Sequence, residues 1–227
     1  LADLGSQVTL FESRAHLGGR VSSVRHPRLD LEIDNCQHAA FRVYNRFFQL
    51  LGRANAQDIV RIQSKTELPF VSPEKKVFAS LKTGRLSPPN HMVTSMMKFP
   101  YLSIKDKLAM RKAVKAFAAE DDDGQWDLDN ITFEKWLESK GQTPRTIERF
   151  FGFFTLAALN LNISEASAAQ GVMLFRNGLF GERDAFDVVA FSKDLGQAMN
   201  GSLLTALKES GVDVRTSSTV KSVANDH

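Results

Sequence analysis

The chain has 227 residues, 43% of them hydrophobic and 24% charged, which excludes a disordered, collagenous or disulfide-stapled protein and is long enough for one large core or two modest ones. Its 29 basic and 26 acidic side chains leave a net charge of +3, dispersed along the chain, so nucleic-acid binding is not demanded. Cys36 has no second cysteine to bridge, which favours a reducing compartment, and no segment approaches the roughly 18 apolar residues that would span a bilayer.

Leu1, Ala2, Asp3, Leu4 and Gly5 read as the last turn of a helix closed by a C-cap glycine, followed at once by an apolar strand. So short a helix cannot stand alone, and the chain is expected to begin inside a unit whose first strand and most of whose first helix lie upstream. Residues 7–11 form a nearly continuous β-branched run, as in a parallel strand covered on both faces, and the run ends at Glu12. A loop over residues 13–20 leads to strand-like stretches at 21–24 and 29–33, which Asp34, Asn35, Cys36, Gln37 and His38 interrupt. Phe41, Tyr44, Phe47, Phe48 and Leu51 then follow helical spacing up to Gly52. Residues 59–62, 66–71 and 77–81 read as antiparallel strands.

Turn formers gather at residues 83–90, and the pattern beyond them is mainly helical. Met110, Ala113, Val114 and Phe117 share one helix face, while Lys105, Arg111, Lys112 and Lys115 lie roughly opposite, either as a solvated face or against anionic lipid. Asp121, Asp122 and Asp123 belong to an acidic loop. Thr132 is placed to cap the next helix, Ile147, Phe150, Phe151, Phe154, Ala157 and Leu161 make a regular stripe, and a capped helix is expected over 164–180. That Phe-rich stripe with Val172, Met173 and Phe175 is either ordinary packing or the wall of a tunnel for a long hydrocarbon. A helix over 195–209 and strands at 212–215 and 219–223 close the chain. The order gives an α/β fold with antiparallel strands and a mainly helical insert, divided at 1–84, 85–190 and 191–227.

The chemistry concentrates in residues 8–20. In a dinucleotide-binding unit the second strand ends in an acidic residue that accepts hydrogen bonds from ribose hydroxyls, and Glu12 sits there. Gly18 and Gly19 lack a Cβ, so backbone can approach a pyrophosphate, and Arg20 can offer a charge-assisted fork to phosphate oxygens. Taken alone, two glycines make a turn and Glu12 a strand-end carboxylate; it is the whole string that carries weight. His16, His26, His38, His91 and His227 show no metal-ligand spacing, so no metal site is expected.

Val8, Thr9, Leu10, Phe11, Glu12, Ser13 and Arg14, followed by Leu17, Gly18, Gly19 and Arg20, resemble the FAD-binding start of the amine oxidase and phytoene desaturase superfamily. The resemblance implies a Rossmann-like FAD domain, truncated here, with a Gly-x-Gly-x-x-Gly phosphate loop upstream and the rest of the substrate domain downstream. By it, Glu12, Ser13, Arg14, Gly18, Gly19 and Arg20 hold FAD, and Val220 on the return strand touches the adenine. Ile33, Asp34, Asn35, Cys36, Gln37 and His38 resemble the Asp-Asn-Gly/Cys-Gln-His stretch of hydroxysqualene dehydroxylases, which puts Gln37 and His38 near the isoalloxazine as candidate catalytic residues. A structural role for His38 stands beside that.

The activity implied is hydride delivery from reduced flavin to hydroxysqualene, giving squalene, with a carotenoid desaturase or an amine oxidase as the alternative. A non-catalytic fragment that needs a complementary chain is the reading from a different class. The partner expected is a hydrophobic polyisoprenoid substrate, with no nucleic acid. The location expected is the cytoplasm, in peripheral contact with the inner membrane face.

Overall fold

The computed structural model describes residues 1–36, 38–72, 76–120 and 125–224. In chain order the first elements are β1 (Thr9–Phe11), β2 (Ser23–Arg25), β3 (Glu32–Asp34), β4 (Ala40–Phe41), α1 (Asn45–Arg53), β5 (Val60–Ile62), β6 (Glu67–Ser72) and β7 (Val77–Lys82). Helices follow: α2 (Val93–Met97), α3 (Ile104–Ala119), α4 (Gln125–Leu128), α5 (Phe133–Ser139), α6 (Pro144–Thr146), α7 (Phe153–Leu159) and α8 (Ala168–Met173). The chain closes with β8 (Val188–Phe191), α9 (Leu195–Ala198), α10 (Leu204–Glu209) and β9 (Asp213–Arg215). π-Helical segments at Ile147–Gly152, Leu174–Leu179 and Met199–Leu203 join or extend the helices into longer runs.

The chain divides into two compact units: Leu1–Ala40, Tyr44–Gln63 and Val188–His227 form the first, Phe41–Val43 and Ser64–Asp187 the second. The expected crossing after residue 84 falls instead at 63/64, because β6 and β7 belong with the helices: Ala79 and Leu81 of β7 are buried in the helical core. Residues 41–43 are claimed by the second unit through Asp187, whose carboxylate accepts from Arg42 Nε at 3.1 Å and Thr66 Oγ1 at 2.7 Å. The amides of Arg42 and Val43 donate to the carbonyls of Asp187 and Ala185 at 3.1 and 3.0 Å. Those bonds hold Phe41 in β4, stacked on Phe186 at 4.1 Å, so the helix expected from Phe41 starts only at Asn45.

In the first unit β1 pairs in parallel with β9, in the register Thr9↔Asp213, Leu10↔Val214 and Phe11↔Arg215. Instead of being covered on both faces, β1 leaves Phe11 half exposed, with the Arg215 guanidinium over its ring. β2 pairs antiparallel with β3, and β5 antiparallel with β8. The core of this unit is small: Leu51, Ala54, Ala56 and Ile59 pack on Ala198 and Leu203 of the helical run over 195–209. Gly5 caps the first turn in the left-handed region, as the sequence pattern indicates. The strand expected at 219–223 is not formed. Ser217 turns into the left-handed region at φ 52°, and Val220 is exposed beyond it.

The second unit is built around aromatic rings. Phe117 stacks on Trp136 and Phe175 at centroid distances of 5.0 and 5.5 Å, and Phe133, Phe150, Phe151 and Phe154 close around them. Ile147, Phe150, Phe151, Phe154, Val172 and Phe175 of the Phe-rich stripe are therefore core, whereas Ala157, Leu161 and Met173 are exposed. Gly171 makes this possible, since a Cβ there would lie 2.2 Å from the Phe133 ring. Helix starts are capped by Ser103, Thr132, Thr143 and Ser167. Ser167 replaces the expected Ser164, because an antiparallel bridge to Thr132 keeps residue 167 extended up to the cap. The acidic run Asp121, Asp122 and Asp123 lies outside the described residues.

Asp106 links two caps. Its carboxylate accepts from the amide and hydroxyl of Ser103 at 2.9 and 2.7 Å and from Thr143 Oγ1 at 2.6 Å, with Arg145 Nη1 at 3.7 Å. The Thr143 hydroxyl foremost, with Ser103 and the Arg145 charge, draws its pKa down to about 2.

A folded-state pKa depressed below the unfolded value contributes stability above the unfolded value and loses it as the pH falls through the folded one. The stability lead of the native chain over Asp106→Asn is thus expected to be constant above about pH 4 and to shrink towards pH 2 in urea unfolding. Gly171→Ala is expected to overpack the Phe133 ring and to lose at least about 1–3 kcal/mol in the same assay.

Candidate cofactor site

Every group of this site lies in the first unit. β1 carries the chain to Glu12, whose amide donates to the Arg215 carbonyl at 2.9 Å and whose carbonyl accepts from the Ser218 amide at 2.8 Å. Ser217 donates to the Arg14 carbonyl at 2.8 Å, so the main chain after β9 braces residues 12–14 on one side. The Glu12 carboxylate accepts from the Arg14 amide at 2.8 Å and from Ser13 Oγ at 3.2 Å. These bonds, the Arg14 amide foremost, hold its pKa below the ordinary carboxylate value, and the Arg14 and His16 charges add to them. Glu12 is thereby an ionised acceptor, fixed at the end of a strand. Arg14 also reaches forward, its Nη1 donating to the Gly19 carbonyl at 2.9 Å, so it ties the strand end to the glycine loop.

The two glycines differ in role. Gly18 has φ 107°, and a Cβ on it would lie 2.2 Å from the Val21 carbonyl oxygen and 2.9 Å from Met199 Cγ. The tight turn it makes is closed by the Val21 amide on the Gly18 carbonyl at 2.8 Å. Gly19, at φ 56°, has nothing within 4 Å of its Cβ position. Gly18 is needed by the protein's own packing, whereas Gly19 leaves open space at the surface of the loop, next to the exposed Arg20.

The loop is held from behind by the run over 195–209. The Leu17 amide donates to Asn200 Oδ1 at 2.9 Å, and Asn200 Nδ2 donates to the Gly196 carbonyl at 3.0 Å. Asp34 accepts from Ser23 Oγ at 2.6 Å and from the Leu195 amide at 3.0 Å, while Ser23 Oγ accepts from the Gly196 amide at 2.7 Å. Asn35 Nδ2 donates to the Arg20 carbonyl at 3.1 Å. Asp34 and Asn35 thus fix the glycine loop and the N-terminus of α9 in one network. Asn200, Met199 and Ser23 escape sequence reasoning, because their partners are a loop or helix end far along the chain and no short motif contains both.

His38 is half-buried, with Nδ1 2.8 Å from the Cys36 carbonyl oxygen and the Cys36 thiol exposed beside it. Gln37 lies outside the described residues. Val220 is exposed and off any strand.

An ionised acceptor at a strand end, an open glycine with a cation beside it and a parallel strand pair fit the ribose and diphosphate half of a dinucleotide. The class these features define is a dinucleotide-binding α/β protein with a helical insert. Residues 1–227 match the family described as flavin containing amine oxidoreductase, and the chain belongs to that family. The family gives its cofactor as FAD.

Among relatives, the chain is 30% identical over 159 residues to the chloroplastic/chromoplastic zeta-carotene desaturase of Solanum lycopersicum, covering 66% of this chain and 27% of that protein. It is 25% identical over 202 residues to the zeta-carotene desaturase of Synechocystis, covering 83% of this chain and 40% of the relative. The chain therefore spans less than half the length of these relatives. A solved putrescine oxidase with bound putrescine shares the fold with a TM-score of 0.58 at 17% identity, over 95% of this chain and 46% of its own. An oxidoreductase from Methanosarcina mazei does so with a TM-score of 0.59 at 15% identity, over 95% and 47%.

The contrast between the glycines is testable by chemical unfolding. Gly18→Ala is expected to destabilise by more than about 2 kcal/mol, through both the clash and the positive φ. Gly19→Ala is expected to lose only about 1 kcal/mol, the cost of the left-handed conformation alone.

Proposed function

We propose that the protein is an FAD-dependent oxidoreductase acting on a long polyisoprenoid, with desaturation of a carotenoid as the leading reaction. The observation that supports this is the match to zeta-carotene desaturases across two thirds of the chain. The flavin supplies hydride transfer. The chain's own residues would bind and orient it: Glu12 would take the ribose hydroxyls and Gly19 and Arg20 the diphosphate, while Asp34, Asn35 and Asn200 keep the loop in place.

A second reading, reductive removal of a hydroxyl from hydroxysqualene, is favoured by residues 33–38, Ile-Asp-Asn-Cys-Gln-His. The two reactions run in opposite redox directions. Desaturation would remove a hydride and a proton from the substrate and needs the flavin oxidised, whereas dehydroxylation would add a hydride and release the hydroxyl, with one proton, as water, and needs it reduced.

Anaerobic mixing of the full-length protein with each substrate separates them. With ζ-carotene the oxidised-flavin absorption is expected to bleach as a product two hydrogens poorer forms. Squalene from hydroxysqualene, with pre-reduced flavin reoxidised in step, would instead establish dehydroxylation. Bleaching by putrescine, with neither isoprenoid reacting, would overturn the polyisoprenoid reading.

A further inference from the structure

The second unit carries an apolar groove of about 830 Å3 between the loop at residues 86–90, α2 and α3. Met92, Met96 and Met110 make its buried floor. Its rim is apolar and open to solvent: Leu86, Met97, Ile104 and Leu108 are all exposed, the last two by 70% and 57%. Ile104 and Leu108 lie one turn apart on α3, away from Met110, Ala113 and Phe117, which bury the helix in the aromatic core. α3 therefore has a second apolar strip that its own unit does not cover.

Lys107, Arg111 and Lys115 run beside that strip at four-residue intervals and line the same groove, and among the described residues none that lines it is acidic. Lys107 Nζ donates to the Met97 carbonyl at 2.8 Å, across the groove. Of the basic face expected from the sequence, Arg111 and Lys115 belong here, while Lys105 and Lys112 do not. Lys112 lies over Gly141, its Nζ 3.7 Å from the Cβ position.

We propose that this groove docks the protein onto an anionic phospholipid surface, the exposed apolar rim entering the acyl layer and Lys107, Arg111 and Lys115 meeting the lipid phosphates. An apolar rim alone would suit any apolar partner. The row of cations, with no acidic side chain among the described lining residues, selects a negative one, and the methionine floor accepts acyl chains of varied shape. Among the described residues no helix is long and apolar enough to cross a membrane. The inference is independent of which substrate the flavin site takes.

Cosedimentation with phosphatidylcholine vesicles, with and without phosphatidylglycerol, tests it. Binding is expected only to the anionic vesicles and to weaken with salt. Arg111→Gln/Lys115→Gln is expected to weaken it about ten- to thirtyfold, at roughly 1 kcal/mol per charge, whereas Lys105→Gln/Lys112→Gln, which removes equal charge from the same helix, leaves most of it. Ile104→Ser/Leu108→Ser, with an unchanged circular dichroism spectrum, is expected to abolish it. Equal losses from the two charge pairs would overturn the proposal, as would no binding to anionic vesicles. A dimer in gel filtration that the Ile104→Ser/Leu108→Ser variant dissolves would overturn it too, assigning the strip to a second copy.

Discussion

The parallel pairing of Thr9–Phe11 with Asp213–Arg215 constrains the whole arrangement, because it joins residues about two hundred positions apart and the chain between them has to be accommodated around it. Between the two strands, residues 41–43 and 64–187 leave the first unit and return to it. A chain can do this at modest cost, since closure entropy grows only with the logarithm of loop length, about 0.6 kcal/mol per doubling. The intervening segment, however, must be folded in its own right, and the aromatic cluster around Phe117 and Phe175 gives it an independent core. The pairing also continues beyond the strands. Arg215 and Ser218 hold both main-chain groups of Glu12, so the return of the chain sets where that carboxylate stands.

The site is accordingly made by two distant segments with different tasks. Residues 12–20 present the groups that a nucleotide would meet, and residues 195–200 hold them from behind through Leu17, Gly18 and the Asp34 and Ser23 network. The side chains of Ser13 and Arg14 work on the protein itself: one donates to the Glu12 carboxylate and the other anchors the loop carbonyl. A polar loop fixed in this way has lost much of its freedom before a ligand arrives, and less ordering remains to be done on binding.

What the sequence discloses and what it conceals separate by range. Glu12 at a strand end, the left-handed Gly5 and Gly18 and the helical insert all follow from neighbours within a few residues, and each is where local chemistry puts it. Phe41 misleads because its spacing from Tyr44 and Phe48 is helical, while its fate is decided by carbonyls at residues 185 and 187. Val220 and Val223 have strand propensity, yet Ser217 has already turned the chain off the sheet. α3 conceals its second apolar strip for a related reason: with apolar residues on two faces, no single stripe stands out from the pattern, and only the packed core shows which face is spent.

The three-residue strap at Phe41–Val43 makes the units interdependent in a genetic sense. The chain passes from one unit to the other at 40/41, 43/44, 63/64 and 187/188, so no single backbone cut yields two whole units. A gene segment for residues 64–187 would encode nearly all of the helical unit and still omit Arg42. The buried Asp187 carboxylate would keep Thr66 and lose its cation, a burden of several kcal/mol on a piece that otherwise has its own core. The helical unit is thus not a transferable module. Recombination that exchanges it between relatives has to carry the strap along, and the first unit, interrupted twice, has to be inherited with both of its gaps in register.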